Sequence, residues 1–552
     1  MRNRLFLLLP ALIFLALLFF FPLGRILAYS ADFASLSADQ LRRAAAVTGF
    51  TTYQAALSTL LTVALGLPLA VFFARYRFPG QNALRALTAI PFILPTVVVA
   101  AGFSALLGPR GWLNLLAMRI FSLPTPPLNF LGTLTAILTA HVFYNTTIVI
   151  RLVGGALETL DPRLTQAART LGDSPLRAWL RVTLPLLRPA LLTAAALVFL
   201  FDFTSYGVIL LLGGPKFSTL EVEIAAQATQ FLNLPLAALL SLIQIFFTLA
   251  FSALYGDQAR RGLTPVKPVE STPGRIARRE TPLVLLGALV TLTFFALPLL
   301  ALPLRSVTRL EAARGERTFA GQALTLDYYR ELFINRRDSL FYVPPLQAAL
   351  NSLNFAAQTV ILSLALGFPA AKALARPGKL TRWLNPIFML PLGVSAVTLG
   401  LGVLLAFSRP IFGWKLLTSP LLIPLAHSTL ALPFVIRNLQ TALALLPERY
   451  REAAAVLGAS PWQVWRRVEV PLLARALLSA GIFAFTISLG EFGAASLLAR
   501  PETPTLPTAI YRFLSQPGGL NYGQAMAMAT LLMLLTGLSI ALIEKLRVSE
   551  VF

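Results

Sequence analysis

The chain has 552 residues, 57% of them hydrophobic and 12% charged, with a mean hydropathy of +0.74. Ordinary soluble domains carry about 25% charged residues, so composition excludes a soluble fold and leaves a multi-span helical protein of the lipid bilayer. The formal charge of +23 would suggest nucleic acid in a soluble chain. Here the basic residues gather in short loops beside apolar runs, which is the positive-inside pattern and argues against nucleic acid as a partner.

Arg2 and Arg4 precede the first apolar run, residues 5–23. A signal peptide would have a core of about 7–15 residues and a small-residue cleavage site. This run is longer, and Ala28-Tyr29-Ser30-Ala31 makes a poor site, so it is expected to remain as a first span. Apolar runs predict further spans at 53–74, 87–107, 132–153, 189–212 and 236–255. The second part of the chain gives 283–302, 351–375, 384–407, 416–435, 472–498 and 524–543. The count is six plus six.

Every even-numbered span exits into basic residues: Arg75, Arg77 and Arg85, then Arg163 to Arg181, then Arg260 to Arg279, then Lys372 to Arg382, and finally Lys545 and Arg547. Both termini are therefore expected in the cytoplasm. Residues 257–281 read as a polar cytoplasmic linker between a first half (1–256) and a second half (282–552). Residues 304–349 read as an external insertion of mixed charge with no counterpart in the first half.

Two stretches stand out as polar helical hairpins between apolar spans. In residues 437–471, Tyr450, Ala453, Ala454 and Leu457 recur on one helical face. Gly458 then supplies a left-handed stop, Ser460-Pro461 restarts the chain, and Pro471 is expected to end the second helix. Residues 151–185 repeat the design 286 positions earlier, from Gly172 to Gly458, with Asp161-Pro162, Ser174-Pro175 and Pro185 in the matching places. The register extends to His141 with His427, Phe199 with Phe485 and Gly207 with Gly493. The chain is a tandem duplication. An even number of spans per half brings both copies into the membrane in one orientation, so the halves should be related by a pseudo-two-fold axis along the membrane normal, with both hairpins on one face.

These hairpins resemble the EAA loop of ABC importer permeases: Glu-Ala-Ala, three residues, Gly, nine residues, Ile, one residue, Leu-Pro. The second copy, in 444–471, carries Glu452, Ala453, Ala454, Gly458 and Pro471; the first, in 158–185, carries Gln166, Ala167, Ala168, Gly172 and Pro185. Gln166 replaces the family's glutamate, and Val182 and Val468 replace its isoleucine. The resemblance implies an all-α polytopic membrane protein with the type I importer permease fold, placed in a bacterial cytoplasmic (inner) membrane. It implies that the hairpins couple to a cytoplasmic ABC ATPase dimer, and that an extracellular or periplasmic binding protein delivers the substrate. It implies no catalytic residue, metal or cofactor in this chain. No Walker A pattern occurs in the sequence, so ATP hydrolysis would fall to the separate ATPase.

Fused permeases with two such loops resemble the ferric-iron and thiamine branch of the family. Leu211-Leu212-Gly213-Gly214-Pro215, Ser488 to Gly493 and Thr505-Leu506-Pro507 are most similar to thiamine permeases, with ferric iron as the alternative cargo. Asp202 and Glu491 fall inside predicted spans, where a charge costs about 2.5–3.5 kcal/mol on insertion scales. They are expected either to line a translocation path between the halves or to make an interhelical hydrogen bond. His141 and His427 have the same two readings. An ion-coupled secondary transporter built from parallel repeats is the competing class, but it gives no reason for two EAA hairpins.

Overall fold

The computed structural model describes residues 2–31, 36–214, 216–261, 280–309, 323–334, 343–376, 378–410, 413 and 415–548. Among these are ten helices long and apolar enough to cross a membrane, or twelve if each of two bent pairs is one span. The protein is an all-α polytopic bundle of two tandem halves. Spans one and two are Leu5–Ser30 and Ala38–Arg75, span four is Leu134–Thr159, and span six is Leu234–Arg261. Their counterparts seven, eight, ten and twelve are Thr281–Ser306, Pro345–Leu374, Leu422–Leu445 and Gly519–Val548.

Each half is built on one close helix crossing. Span two meets span four at Gly66, where an added Cβ would lie 2.6 Å from Val149 Cβ. Span eight meets span ten at Gly367, where it would lie 2.7 Å from Val435 Cγ1. In a bilayer, apolar side chains gain little by leaving lipid, so a small residue that lets backbones approach supplies the packing. Val149 and Val435 are repeat equivalents, and the crossing is duplicated with them. The first span of each half then packs on the other half: span one lies against spans eight and nine, and span seven lies against spans three and twelve. The halves are thus interlocked.

The predicted spans 87–107 and 384–407 are not single helices. Span three is Gln81–Ile93 followed by Thr96–Leu107, and span nine is Lys379–Gly393 followed by Ala396–Phe407 with a bend of 98°. At the first break Pro95 forces Leu94 out of the helical region, to ψ 145°. Residues 97–106 are all buried, so the interruption faces protein and not lipid. The predicted runs 189–212 and 472–498 are also broken. Span five is Pro175–Phe203 with a separate helix Gly207–Leu212. Span eleven is Pro461–Leu472 and Ala474–Gly490, bent by 71°, with a separate helix Gly493–Leu498.

After each break a short helix re-enters the bundle: Leu220–Thr229 in one half and Leu506–Leu514 in the other. Leu220 N–H donates to Thr51 Oγ1 (3.0 Å), and its equivalent Leu506 N–H donates to Ser352 Oγ (2.7 Å).

Where residues 304–349 are described, they are tied to the bundle. Span seven continues to Ser306, and Thr308–Arg309 pairs antiparallel with Ala323–Leu324. Tyr328 packs over Gly523, and Gln524 donates to the Glu331 carbonyl (3.2 Å). Arg305 is buried: it donates to the Thr308 carbonyl (2.6 Å) and sits over the Tyr522 ring at 5.3 Å. Most of the linker 257–281, residues 262–279, lies outside the described residues.

Candidate functional site

The two hairpins share one construction. The first helices are Pro162–Thr170 and Glu448–Val456. The second helices begin at Pro175 and Pro461, and run through π-turns at Trp179–Thr183 and Trp465–Glu469 into spans five and eleven. Gly172 and Gly458 hold φ of +98° and +78°, the left-handed conformation that closes a helix. The next N–H groups, of Asp173 and Ala459, return to the carbonyls of Ala168 and Ala454 (3.1 and 3.0 Å). Ser174 and Ser460 cap the second helices by accepting from the N–H groups of Arg177 and Gln463 (3.3 Å each). Pro471 closes the second helix of its hairpin as expected: Pro461–Leu472 stops one residue later and meets Ala474–Gly490 at 71°. Its equivalent Pro185 does not mark an end; it is the second residue of Leu184–Phe203, which continues from the π-turn.

Most of the apolar residues of the first helices face outward. Leu171 and Leu457 are 89% and 87% exposed. Gln166, Ala167, Glu452 and Ala453 are exposed around them, and only Ala168 and Ala454 turn partly inward. Leu164 and Leu176 in the first hairpin, and their equivalents Tyr450 and Trp462 in the second, are exposed as well, so the two hairpins present matching apolar positions.

The main inequality between the hairpins lies beneath this surface. In the second, buried Glu469 accepts from Lys372 Nζ (2.5 Å) and lies 2.8 Å from Arg451 Nε. The equivalent residues of the first are Thr165 and Thr183, whose hydroxyls share a hydrogen bond (3.1 Å). Gln166 and Glu452, where the sequence places the asymmetry, make no side-chain hydrogen bond or ion pair among the described residues.

Between the halves lies a cavity of about 640 Å³, bordered by Asp202, Glu221 and Glu491 together with aromatic rings. Phe92 is 6.0 Å from Tyr144 and 5.7 Å from Phe201 in the first half, and Phe434 is 5.4 Å from Phe483 in the second. Arg151 and Asn438 border it towards the hairpin side.

Asp202 and Glu491 stand at the breaks of spans five and eleven, each beside a histidine. His141 has Ser58 Oγ (3.0 Å) and Asp202 Oδ1 (3.4 Å) at Nδ1, and Ser205 Oγ (2.9 Å) at Nε2. His427 has Ser488 Oγ (2.8 Å) at Nδ1 and Glu491 Oε2 (3.2 Å) at Nε2. In the repeat register Asp202 matches Ser488 and Ser205 matches Glu491. Serine and acid have therefore changed places around equivalent histidines. This accounts for the three-residue offset between the two acids. The histidines make interhelical hydrogen bonds, and His141 also borders the cavity.

The acids are held differently. Both oxygens of Glu491 accept from backbone, from Ala494 and Ala495 N–H (2.9 Å each). Asp202 accepts on Oδ1 from Asn145 (2.7 Å). Glu221 was not foreseen as a site residue. It sits in the re-entrant helix Leu220–Thr229 and accepts from Gln244 Nε2 of span six. Only its burial at 1% exposure separates it from an ordinary loop glutamate.

A second pair was also missed. Tyr206 and Phe492 are repeat equivalents, and they stack on each other with centroids 5.2 Å apart and planes at 27°. Both rings border the central cavity and also a second one, of about 760 Å³, which Arg43 and Arg500 border on the side away from the hairpins. The stack is the shared wall between the two spaces. The 286-residue shift could have paired these rings, but not shown that they touch. Among the described residues no three His, Asp or Glu side chains are grouped as a metal site would require.

Comparison with known proteins adds an independent finding. Residues 66–261 and 363–548 match the family of binding-protein-dependent transport system inner membrane components, once in each half. The chain is 29% identical over 513 residues to the thiamine transport system permease protein ThiP of Escherichia coli (strain K12), covering 91% of this chain and 88% of that protein. It is 27% identical over 492 residues to ThiP of Brucella suis biovar 1 (strain 1330), covering 88% and 84%. It is 28% identical over 505 residues to ThiP of Haemophilus influenzae (strain ATCC 51907 / DSM 11121 / KW20 / Rd), covering 90% and 88%.

Proposed function

This chain belongs to the family of binding-protein-dependent transport system inner membrane components, and from that premise we propose that it is the permease subunit of an ATP-driven thiamine importer. The observation that carries the cargo assignment is the central cavity, with three carboxylates and aromatic walls from both halves. Thiamine is an aromatic cation, and both features attract one. The relatives that bear the name of thiamine transport system permease proteins match this chain over most of their length. Ferric iron, the alternative, has no use for aromatic walls.

In this reading both termini and both hairpins lie in the cytoplasm. A dimeric ABC ATPase docks on the two exposed patches around Leu171 and Leu457 and supplies all nucleotide chemistry, and an external binding protein delivers thiamine to the opposite face. Asp202 and Glu491 line the translocation path where spans five and eleven break. Discontinuous helices commonly form such sites, because a broken helix can present polar groups at membrane depth. The Tyr206–Phe492 stack is the barrier on the external side. ATP-driven approach of the hairpins turns spans five and eleven, which carry both rings at their breaks, and parts the stack. The test is growth of a thiamine-requiring bacterium that lacks its own thiamine permease, supplied with this chain, its ATPase and its binding protein. Growth on submicromolar thiamine is expected; growth no better than without this chain would refute the cargo assignment.

A further inference from the structure

We propose that the central cavity is itself a binding site for an aromatic organic cation, with Glu221 as its principal counter-charge; this deepens the thiamine reading and rests on it for the choice of cargo. Three carboxylates border the cavity, but they are not equally committed. Glu491 spends both oxygens on backbone N–H groups at the start of Gly493–Leu498 and has His427 beside it. Asp202 uses one oxygen on Asn145, and its Oδ2 has no hydrogen-bond partner although the residue is 0% exposed. Glu221 accepts from Gln244 on Oε1 and has the Ser395 hydroxyl close by, and its Oε2 has no donor in hydrogen-bonding geometry at 1% exposure.

A buried carboxylate normally has an ion-pair partner, because leaving it unpaired is costly. Among the described residues no Lys or Arg lies within ion-pair distance of any of the three. Arg151 borders the cavity on the hairpin side but pairs with none of the three, so the carboxylates describe a place for a cation that the protein does not bring to them. The neighbouring rings of Phe92, Tyr144, Phe434 and Phe483 offer π faces, which hold a flat organic cation better than a hydrated metal ion. In the repeat register Glu221 matches Pro507 and Asp202 matches Ser488. Both uncommitted oxygens thus come from the first half, and the bound cation sits off the pseudo-two-fold axis, on that side.

The experiment uses the permease co-purified with its ATPase, in nanodiscs and without the binding protein. Equilibrium binding is measured for thiamine, for benzyltrimethylammonium, and for a thiamine analogue with a neutral ring in place of the thiazolium. The expected result is at least a tenfold preference for thiamine over the neutral analogue. Glu221→Gln should remove that preference and weaken thiamine binding tenfold or more, and Glu221→Asp should retain most of the preference. Glu223→Gln, on the same helix but paired with Arg43 at the other cavity, should leave the preference intact and serves as the control for folding. A preference that survives Glu221→Gln, or no binding of either cation, would overturn the proposal. If benzyltrimethylammonium binds in a Glu221-dependent way and thiamine does not, the cation site stands and the thiamine assignment falls.

Discussion

Replacing Glu469 by alanine should loosen the second hairpin and leave the first intact. The carboxylate is 3% exposed and holds Lys372 and Arg451, whose side chains are 33% and 22% exposed. Removing one partner of a fully buried ion pair costs roughly 3–5 kcal/mol, whereas a surface pair is worth about 0–1 kcal/mol. Both cations here can reach water once released, which places Glu469→Ala between these limits, at about 2–3 kcal/mol, or a roughly 30- to 160-fold rise in hairpin opening. Hydrogen exchange of residues 448–472 in the purified complex reads that rise directly, and recovery of the ATPase reads its consequence. The triple variant Lys372→Met, Arg451→Thr, Glu469→Thr removes all three charges and installs the hydroxyl pair that Thr165 and Thr183 form in the first hairpin. Replacing every member of a polar cluster is far cheaper than removing one, so the triple variant should return to within about 1 kcal/mol of the parent. Unchanged exchange in Glu469→Ala, or a triple variant as loose as the single, would refute this account of what holds the hairpin.

Gly367→Ala places a Cβ against Val435 Cγ1 at 2.7 Å and should cost about 1–3 kcal/mol of bundle stability by overpacking, seen as a lower aggregation temperature in detergent; Gly24→Ala, with nothing within 4 Å, should cost nothing. Tyr206→Ala removes half of the stacked wall and should produce a thiamine leak in liposomes without ATP, and Phe492→Ala should leak similarly, because the rings are repeat equivalents. Leu457→Asp puts charge on a highly exposed apolar position of the second hairpin and should lower ATPase recovery several-fold, with Leu171→Asp doing the same; if recovery is unaltered in both, the docking face lies elsewhere.

Much of the architecture was legible before any coordinate. The duplication, the twelve apolar runs and the two capped hairpins follow from hydropathy and from residues such as Ser460 and Gly458, whose roles are local. The broken spans were not legible in the same way. A hydropathy window averages across Thr204–Tyr206 and Glu491–Phe492, so residues 189–212 and 472–498 read as unbroken helices. The interruptions are sustained by tertiary contacts, such as Gln54 Nε2 donating to the Asp202 carbonyl at 2.9 Å. Asp202 and Glu491 could be singled out, because charge in an apolar run is conspicuous. Glu221 could not, because it follows a polar loop and acquires its setting only when Leu220–Thr229 folds back into the bundle. The inequality of the hairpins was expected at Gln166 and Glu452, the positions a motif emphasises. The structure adds Thr165–Thr183 against Arg451–Glu469, a pairing across a turn that only folding brings together.

The central claim, an ATP-driven permease with a thiamine path between its halves, is tested most directly by transport in proteoliposomes. The permease and its ATPase are reconstituted with ATP inside, and the binding protein and labelled thiamine are added outside. The account predicts thiamine accumulation that requires ATP and the binding protein, stops with vanadate and ignores a protonophore. Accumulation without the ATPase, driven by a proton gradient, would contradict it.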